Sequence, residues 1–198
     1  VMTWNILGAQ RPDVAEIADV IRQQEPDVAS IQEVQRAQLR RLAKQLGWRF
    51  AWTRKHFPYS PLLWWRAEGI GILSPWDVSA RMRTTISPGV STWVYKHRVL
   101  LAATITRRDG SLRVFNTHLA SHDADERLAQ AHRVADRVRA GRASGDDRMV
   151  RTLEAEVDGD EAASEVDQRT WDEEGRDAAR AFLLHQDGRV LDAGEATD

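Results

Sequence analysis

A mixed α/β sandwich is the fold this sequence predicts, and three observations predict it. Apolar runs of strand length alternate with amphipathic helical stretches through the first 50 residues. Further on, strand runs succeed one another across a hairpin signal. Short polar islands interrupt or end these runs, at Trp4-Asn5-Ile6, Ile31-Gln32-Glu33-Val34, Glu68 to Ser74 and Asn116-Thr117-His118-Leu119. Burying such groups costs free energy unless a partner or a metal compensates. Four such costs in one chain point to one shared site.

Val1–Ile6 reads as the first strand. Arg11 to Glu25 reads as a helix with Val14, Ile17, Ala18 and Ile21 on one face, and Pro26-Asp27 ends it. Val28–Gln32 is a short apolar strand. Val34 to Leu46 is a second helix, lined by Leu39, Leu42, Ala43 and Leu46 and stopped by Gly47. Phe50–Thr53 reads as a strand, and residues 56–65, with two prolines, as a loop. Gly69–Leu73 and Val99–Thr106 are strands. Asp109-Gly110 turns the chain into Leu112–Asn116. A helix comes next over Asp123–Ala140, its apolar side formed by Leu128, Ala131, Ala135 and Val138.

With 198 residues, 42% of them hydrophobic and 29% charged, one domain spanning 1–198 with a sizeable core is expected. No apolar run reaches membrane-spanning length and no segment reads as a signal peptide. The expectation is a soluble protein. The strand-like start at Val1 fits a secreted form with its leader removed, but composition leaves the compartment open. The absence of cysteine excludes disulfides and thiolate zinc sites. Residues 1–120 hold 17 Lys/Arg against 9 Asp/Glu, which suits a phosphate-bearing partner or is simply solvated surface charge. Residues 144–198 hold 17 acids against 6 arginines. The stretch 144–180, poor in apolar residues, is expected to be a poorly ordered or inserted segment, with order returning as a helix near 178–184 and a strand near 189–191. Of the eight tryptophans, Trp4, Trp48 and Trp52 are expected in the core; Trp64-Trp65, flanked by Arg54, Lys55 and Arg66, suit a base or a headgroup layer.

At the islands, Glu33 succeeds a strand and is able to bind a hard cation such as Mg²⁺, or else to complement the dipole of the next helix. Asn5 offers an amide oxygen to the same ion or its water. His118 is able to hydrogen-bond a phosphoryl oxygen or protonate a leaving group, or to serve as a core histidine bonded to backbone. Glu68 suits the carboxylate that orients a histidine, or an exposed turn acid.

Taken in order, Met2 to Ile6, Asp27-Val28-Ala29-Ser30-Ile31-Gln32-Glu33-Val34, Glu68 to Ser74 and Phe115-Asn116-Thr117-His118-Leu119 resemble the endonuclease/exonuclease/phosphatase superfamily, whose fold is that of deoxyribonuclease I. The resemblance covers residues 1–140. It implies a four-layer sandwich of two packed mixed β-sheets flanked by helices. It implies a catalytic Mg²⁺ (or Mn²⁺) on Asn5 and Glu33, His118 on the scissile phosphate and Glu68 orienting it. Asn116, Arg98 and Asp160 become substrate-binding candidates. The reaction implied is hydrolysis of a phosphate ester by in-line attack of water, on nucleic acid, a phospholipid headgroup or a small phosphoester.

The sequence departs from the family pattern in two places. It has no Gly-Asp-x-Asn: Gly145-Asp146-Asp147-Arg148 and Gly159-Asp160-Glu161-Ala162 are its nearest stretches. Arg189 to Ala193, in contrast, does resemble the strand and Asp-Ala that the family carries beyond that motif. Nor does a Ser-Asp-His occur before Asp198. The expectation is a C-terminally truncated or degenerate member lacking its last strands, acting as a phosphoesterase or, without its full set of charges, serving as a non-catalytic binding domain or inactive fragment.

Overall fold

The computed structural model describes residues 1–57, 66–143 and 149–154. Within them the chain forms β1 (Met2–Asn5), α1 (Val14–Gln24), β2 (Ala29–Gln35), α2 (Arg36–Leu46), β3 (Arg49–Arg54), β4 (Glu68–Ser74), β5 (Asp77–Thr85), β6 (Val99–Arg107), β7 (Gly110–His118), α3 (Ala124–Ala143) and β8 (Met149–Glu154). One sheet runs β1-β2-β4-β3 and the other β5-β6-β7-β8. Each contains one parallel pair joined by a helix: β1 and β2 through α1, β7 and β8 through α3. The remaining neighbours are antiparallel.

Three apolar layers separate four structural ones. Ile17, Ala18 and Ile21 of α1 and Leu39, Leu42 and Ala43 of α2 pack on Ala29, Ile31, Val34 and Leu73 of the first sheet. Ile70 and Ile72 of β4 meet Leu101, Ala103, Ile105 and Val114 of the second sheet between the two. Val134, Ala135 and Val138 of α3 cover Leu100, Ala102 and Phe115 on the far side. Strand alternation produces this: on β6, Leu101 and Ala103 face one layer while Leu100 and Ala102 face the other. The four-layer α/β sandwich is therefore present. Trp4, Trp48 and Trp52 pack against the first core layer.

Several element boundaries differ from the sequence expectation for local reasons. α1 begins at Val14, because Pro12 disfavours helical backbone at Arg11 and the Asp13 side chain caps the helix by accepting from the Ala15 N–H at 2.8 Å. Val34 belongs to β2 rather than to α2, whose first turn is tied by Gln38, accepting from the Gln35 N–H at 2.9 Å and donating to the Gly8 carbonyl at 2.8 Å. The unpredicted β5 is an edge strand with almost no apolar side, held by its ladder to β6. β8 was also unexpected: Met149–Glu154 lies inside the stretch expected to lack order and pairs with β7. On α3, Leu128 is exposed and Val134 takes its place in the core, while Arg127 and Gln130 are buried. Gln130 accepts from the Ala120 N–H and donates to the Ser87 hydroxyl; Arg127 donates to the Ala120 and Ser121 carbonyls. The buried polar side of α3 thus clamps the loop that leaves β7 at His118. The expected loop tip with Trp64-Trp65, the helix near 178–184 and the strand near 189–191 lie outside the described residues.

Candidate active site

β2 approaches the other sheet through a bulge. Its ladder with β4 is regular from Ala29 opposite Leu73 to Ile31 opposite Gly71, then resumes at Val34 opposite Gly69, leaving Gln32 and Glu33 against Ile70 alone. Under strict alternation Val34 would face the same way as Gln32. The extra residue keeps Ile31 and Val34 on the helix side and turns Gln32 and Glu33 toward the other sheet. Glu33 occupies the left-handed region at φ 49°, which costs a non-glycine residue about 1–3 kcal/mol and persists where the surroundings over-determine it. Gly8 makes room for it: a Cβ there would stand 2.2 Å from the Glu33 carbonyl oxygen.

Across the interface, β7 turns Val114, Asn116 and His118 toward the first sheet and Phe115 toward α3. His118 Nε2 lies 3.7 Å from Glu33 Oε1. Lys55, just past the end of β3, lies 4.0 Å from the same oxygen through its Nζ. It is 5% exposed, and its backbone N–H donates to the Glu68 carbonyl at 3.0 Å. Glu68 opens β4 opposite Gln35 of β2, just past the bulge. Burial raises its pKa, while the Lys55 charge and a hydrogen bond from the Ala9 backbone work the other way. Asn5 is registered beside Gln32 in the parallel pair, and its Oδ1 accepts from the Leu7 N–H at 3.1 Å. The structure thus brings Glu33 and His118 together, with Glu68 and Asn5 on the strands flanking them.

His118 is almost fully buried, and burial, seconded by the positive charges of Lys55 and Arg98, lowers its pKa to about 3. Its neutral ring carries one N–H and one acceptor nitrogen. Arg98, 5% exposed, donates to the Tyr95 carbonyl. Asn116 is wholly buried and spends its amide on the sheet interface: it donates to the Gly71 carbonyl at 2.7 Å and the Ile31 carbonyl at 3.2 Å, and accepts from Gln32 Nε2 at 2.8 Å. Asp160 lies outside the described residues.

The donors available to a cation are hard oxygens, the Glu33 carboxylate and the Asn5 amide. Among the described residues no group of three or more His, Cys, Asp or Glu could hold a metal. Such a sparse set fits Mg²⁺ or Mn²⁺ keeping most of its waters, and does not fit an all-protein cage. The Lys55 ammonium beside Glu33 is a positive charge already at that position.

Three contributors escape a reading of the sequence alone. Gln32 stands out there only as part of a motif, Lys55 only as a basic neighbour of a loop, and Gln130 not at all. Nothing local marks Lys55 as buried. Gln130 lies off the stripe of Leu128, Ala131, Ala135 and Val138 that the sequence shows, and only the packed helix marks it as buried.

The sequence model described as the Endonuclease/Exonuclease/phosphatase family matches residues 2–191. No curated protein matches the chain. Among solved structures, truncated Caenorhabditis elegans TDP2 is similar with a TM-score of 0.60 at 20% identity, over 81% of this chain and 62% of its own. A mannosyl-6-phosphatase from Bacteroides thetaiotaomicron gives 0.57 at 17%, over 72% of this chain and 55% of its own. An endonuclease/exonuclease/phosphatase from Beutenbergia cavernae gives 0.54 at 24%, over 69% of this chain and 43% of its own. The matches therefore span less than two thirds of these proteins' lengths, and at such identities the likeness shows the fold.

Proposed function

Since this chain belongs to the endonuclease/exonuclease/phosphatase family, we propose that it is a divalent-metal-dependent phosphoesterase, hydrolysing a phosphodiester or phosphomonoester by in-line attack of water. One observation carries the reading: two polar islands 85 residues apart in sequence, at Glu33 and His118, meet within 3.7 Å across the sheet interface. Asn5 and Glu33 would hold Mg²⁺ or Mn²⁺, which supplies positive charge to the phosphoryl oxygens when bound. His118 offers its ring N–H to a phosphoryl oxygen. Glu68 attracts Lys55 as an opposite charge, and Lys55 in turn acts on His118. Arg98 contributes a further buried positive charge that acts on His118.

The test is hydrolysis of bis-p-nitrophenyl phosphate and of plasmid DNA, with Mg²⁺ and with chelator. Turnover that chelator abolishes, and that Glu33→Ala and His118→Ala each reduce by about 10²-fold or more, supports the proposal. Turnover indifferent to chelator or to both substitutions overturns it. A second reading, a non-catalytic binding domain on the same scaffold, draws support from Lys55, which already meets the Glu33 charge without a metal. Metal binding without turnover would favour that reading.

A further inference from the structure

A groove of about 510 Å³ runs along the outer edges of the two sheets, where β3 and β5 lie side by side. Arg36, Arg54, Lys55, His56, Arg81 and Arg83 line it, and among the described residues no Asp or Glu does. Such crowding of like charge is costly unless an anion relieves it. Neighbouring positive charge adds to burial in two groups. His56 is held to a pKa of about 4 by burial and then by Lys55, Arg98 and His97, and Arg83 is lowered by burial and then by Arg54. β5 bulges between Ser79 and Met82, with Ala80 at φ 43°, immediately before Arg81 enters the groove.

Aromatic rings stand among these cations. The Arg54 guanidinium lies 3.5 Å from the centre of the Phe57 ring. On Phe57 stacks Trp93, with centroids 4.6 Å apart and planes 21° from parallel. A backbone hydrogen bond from Phe57 to Thr92, at 2.7 Å, fixes the pair. Trp93 ends this stack and is 46% exposed. Arginines interleaved with an exposed, stacked indole are what a flexible polyphosphate strand with planar bases requires. A bilayer presents a flat surface, which a concave groove does not meet along its length.

We propose that this groove binds single-stranded nucleic acid, with phosphates on Arg36, Arg54, Arg81 and Arg83 and a base stacked on the open side of Trp93. The inference rests on the phosphoesterase reading, because Lys55 lines the groove and also faces Glu33, so that a strand in the groove leads one phosphate to the candidate site. It narrows the substrate class to a polyanion with bases.

The experiment measures binding of a fluorescein-labelled oligothymidylate by anisotropy, in chelator so that nothing is cleaved, over a series of salt concentrations. The double variant Arg36→Glu/Arg81→Glu is expected to bind at least about tenfold more weakly, with a salt slope smaller by about one per contact removed. Trp93→Ala is expected to lose about tenfold with the salt slope unchanged, because stacking releases no counterions. Thermal melts verify that each variant is folded. The proposal is overturned if the folded variants bind as the parent does, if the parent binds phosphatidylserine vesicles but no oligonucleotide, or if the substitutions cause aggregation alone, which would make the arginines guards of two sheet edges. Because no turnover is measured, failure here is separable from failure of hydrolysis on bis-p-nitrophenyl phosphate.

Discussion

Gln32 of β2 donates through Nε2 to Asn116 Oδ1 of β7 at 2.8 Å, joining the two sheets by a buried hydrogen bond between side chains. The same Gln32 nitrogen lies 3.0 Å from the Thr3 hydroxyl of β1. Each partner stands beside a candidate site residue, Gln32 one position before Glu33 and Asn116 two before His118. The bond therefore sets the register that brings those two together.

Replacing Asn116 with leucine keeps the branched heavy-atom skeleton but leaves the Gly71 and Ile31 carbonyls without this donor and the Gln32 amide with the Thr3 hydroxyl alone. We expect a loss of about 2–3 kcal/mol in unfolding free energy, measured by urea denaturation with an unchanged slope. A loss below about 0.5 kcal/mol would mean that water or relaxation satisfies these groups.

Lys55 and a divalent ion are rivals for Glu33. Lys55→Met removes the ammonium 4.0 Å from the carboxylate and keeps most of the side-chain length. We expect Mn²⁺ to bind about tenfold more tightly to the variant by calorimetry, while the metal-free protein melts at a lower temperature because Glu33 is left short of a buried counter-charge. Weaker Mn²⁺ binding would instead place Lys55 among the groups that support the ion.

The Glu33 bulge depends on Gly8. In Gly8→Ala the new methyl would meet the Glu33 carbonyl oxygen at 2.2 Å and Gln38 Oε1 at 2.6 Å. The first neighbour is backbone and cannot swing aside. The expected result is a loss of about 1–3 kcal/mol, with reduced Mn²⁺ affinity as Glu33 is displaced. Unaltered affinity would show that the bulge does not need this close approach.

His56 gives a pH dependence whose sign is set by its lowered pKa. Above about 6.5 it is neutral both folded and unfolded, and contributes nothing to the slope. Between there and about 4 the unfolded chain takes up a proton that the folded one refuses, so stability falls as pH falls through this window. His56→Asn should flatten the dependence of melting temperature on pH between about 6.5 and 4. An unchanged profile would assign the slope to other groups.

The amphipathic period of α1 and α2, the apolar run of β6 and the Asp109-Gly110 turn were legible because each is a property of a short stretch of chain. β5 was not legible, since an edge strand with exposed side chains is held by its neighbour's hydrogen bonds rather than by its own pattern. Leu128 misled because a helix of twenty residues offers more than one apolar stripe, and only the opposing sheet selects between them.

By itself the sequence determined the family, the order of the strands that carry Asn5, Glu33, Glu68 and His118, and the sandwich they build, because apolar periodicity and short motifs are local properties of a chain. Tertiary structure alone decided that a bulge turns Glu33 onto His118, that Lys55 is buried against the same carboxylate, and that arginines from β3, α2 and β5 share one groove. Those outcomes depend on which surfaces the packed sheets bring face to face, and that is fixed by the core as a whole and by no single segment.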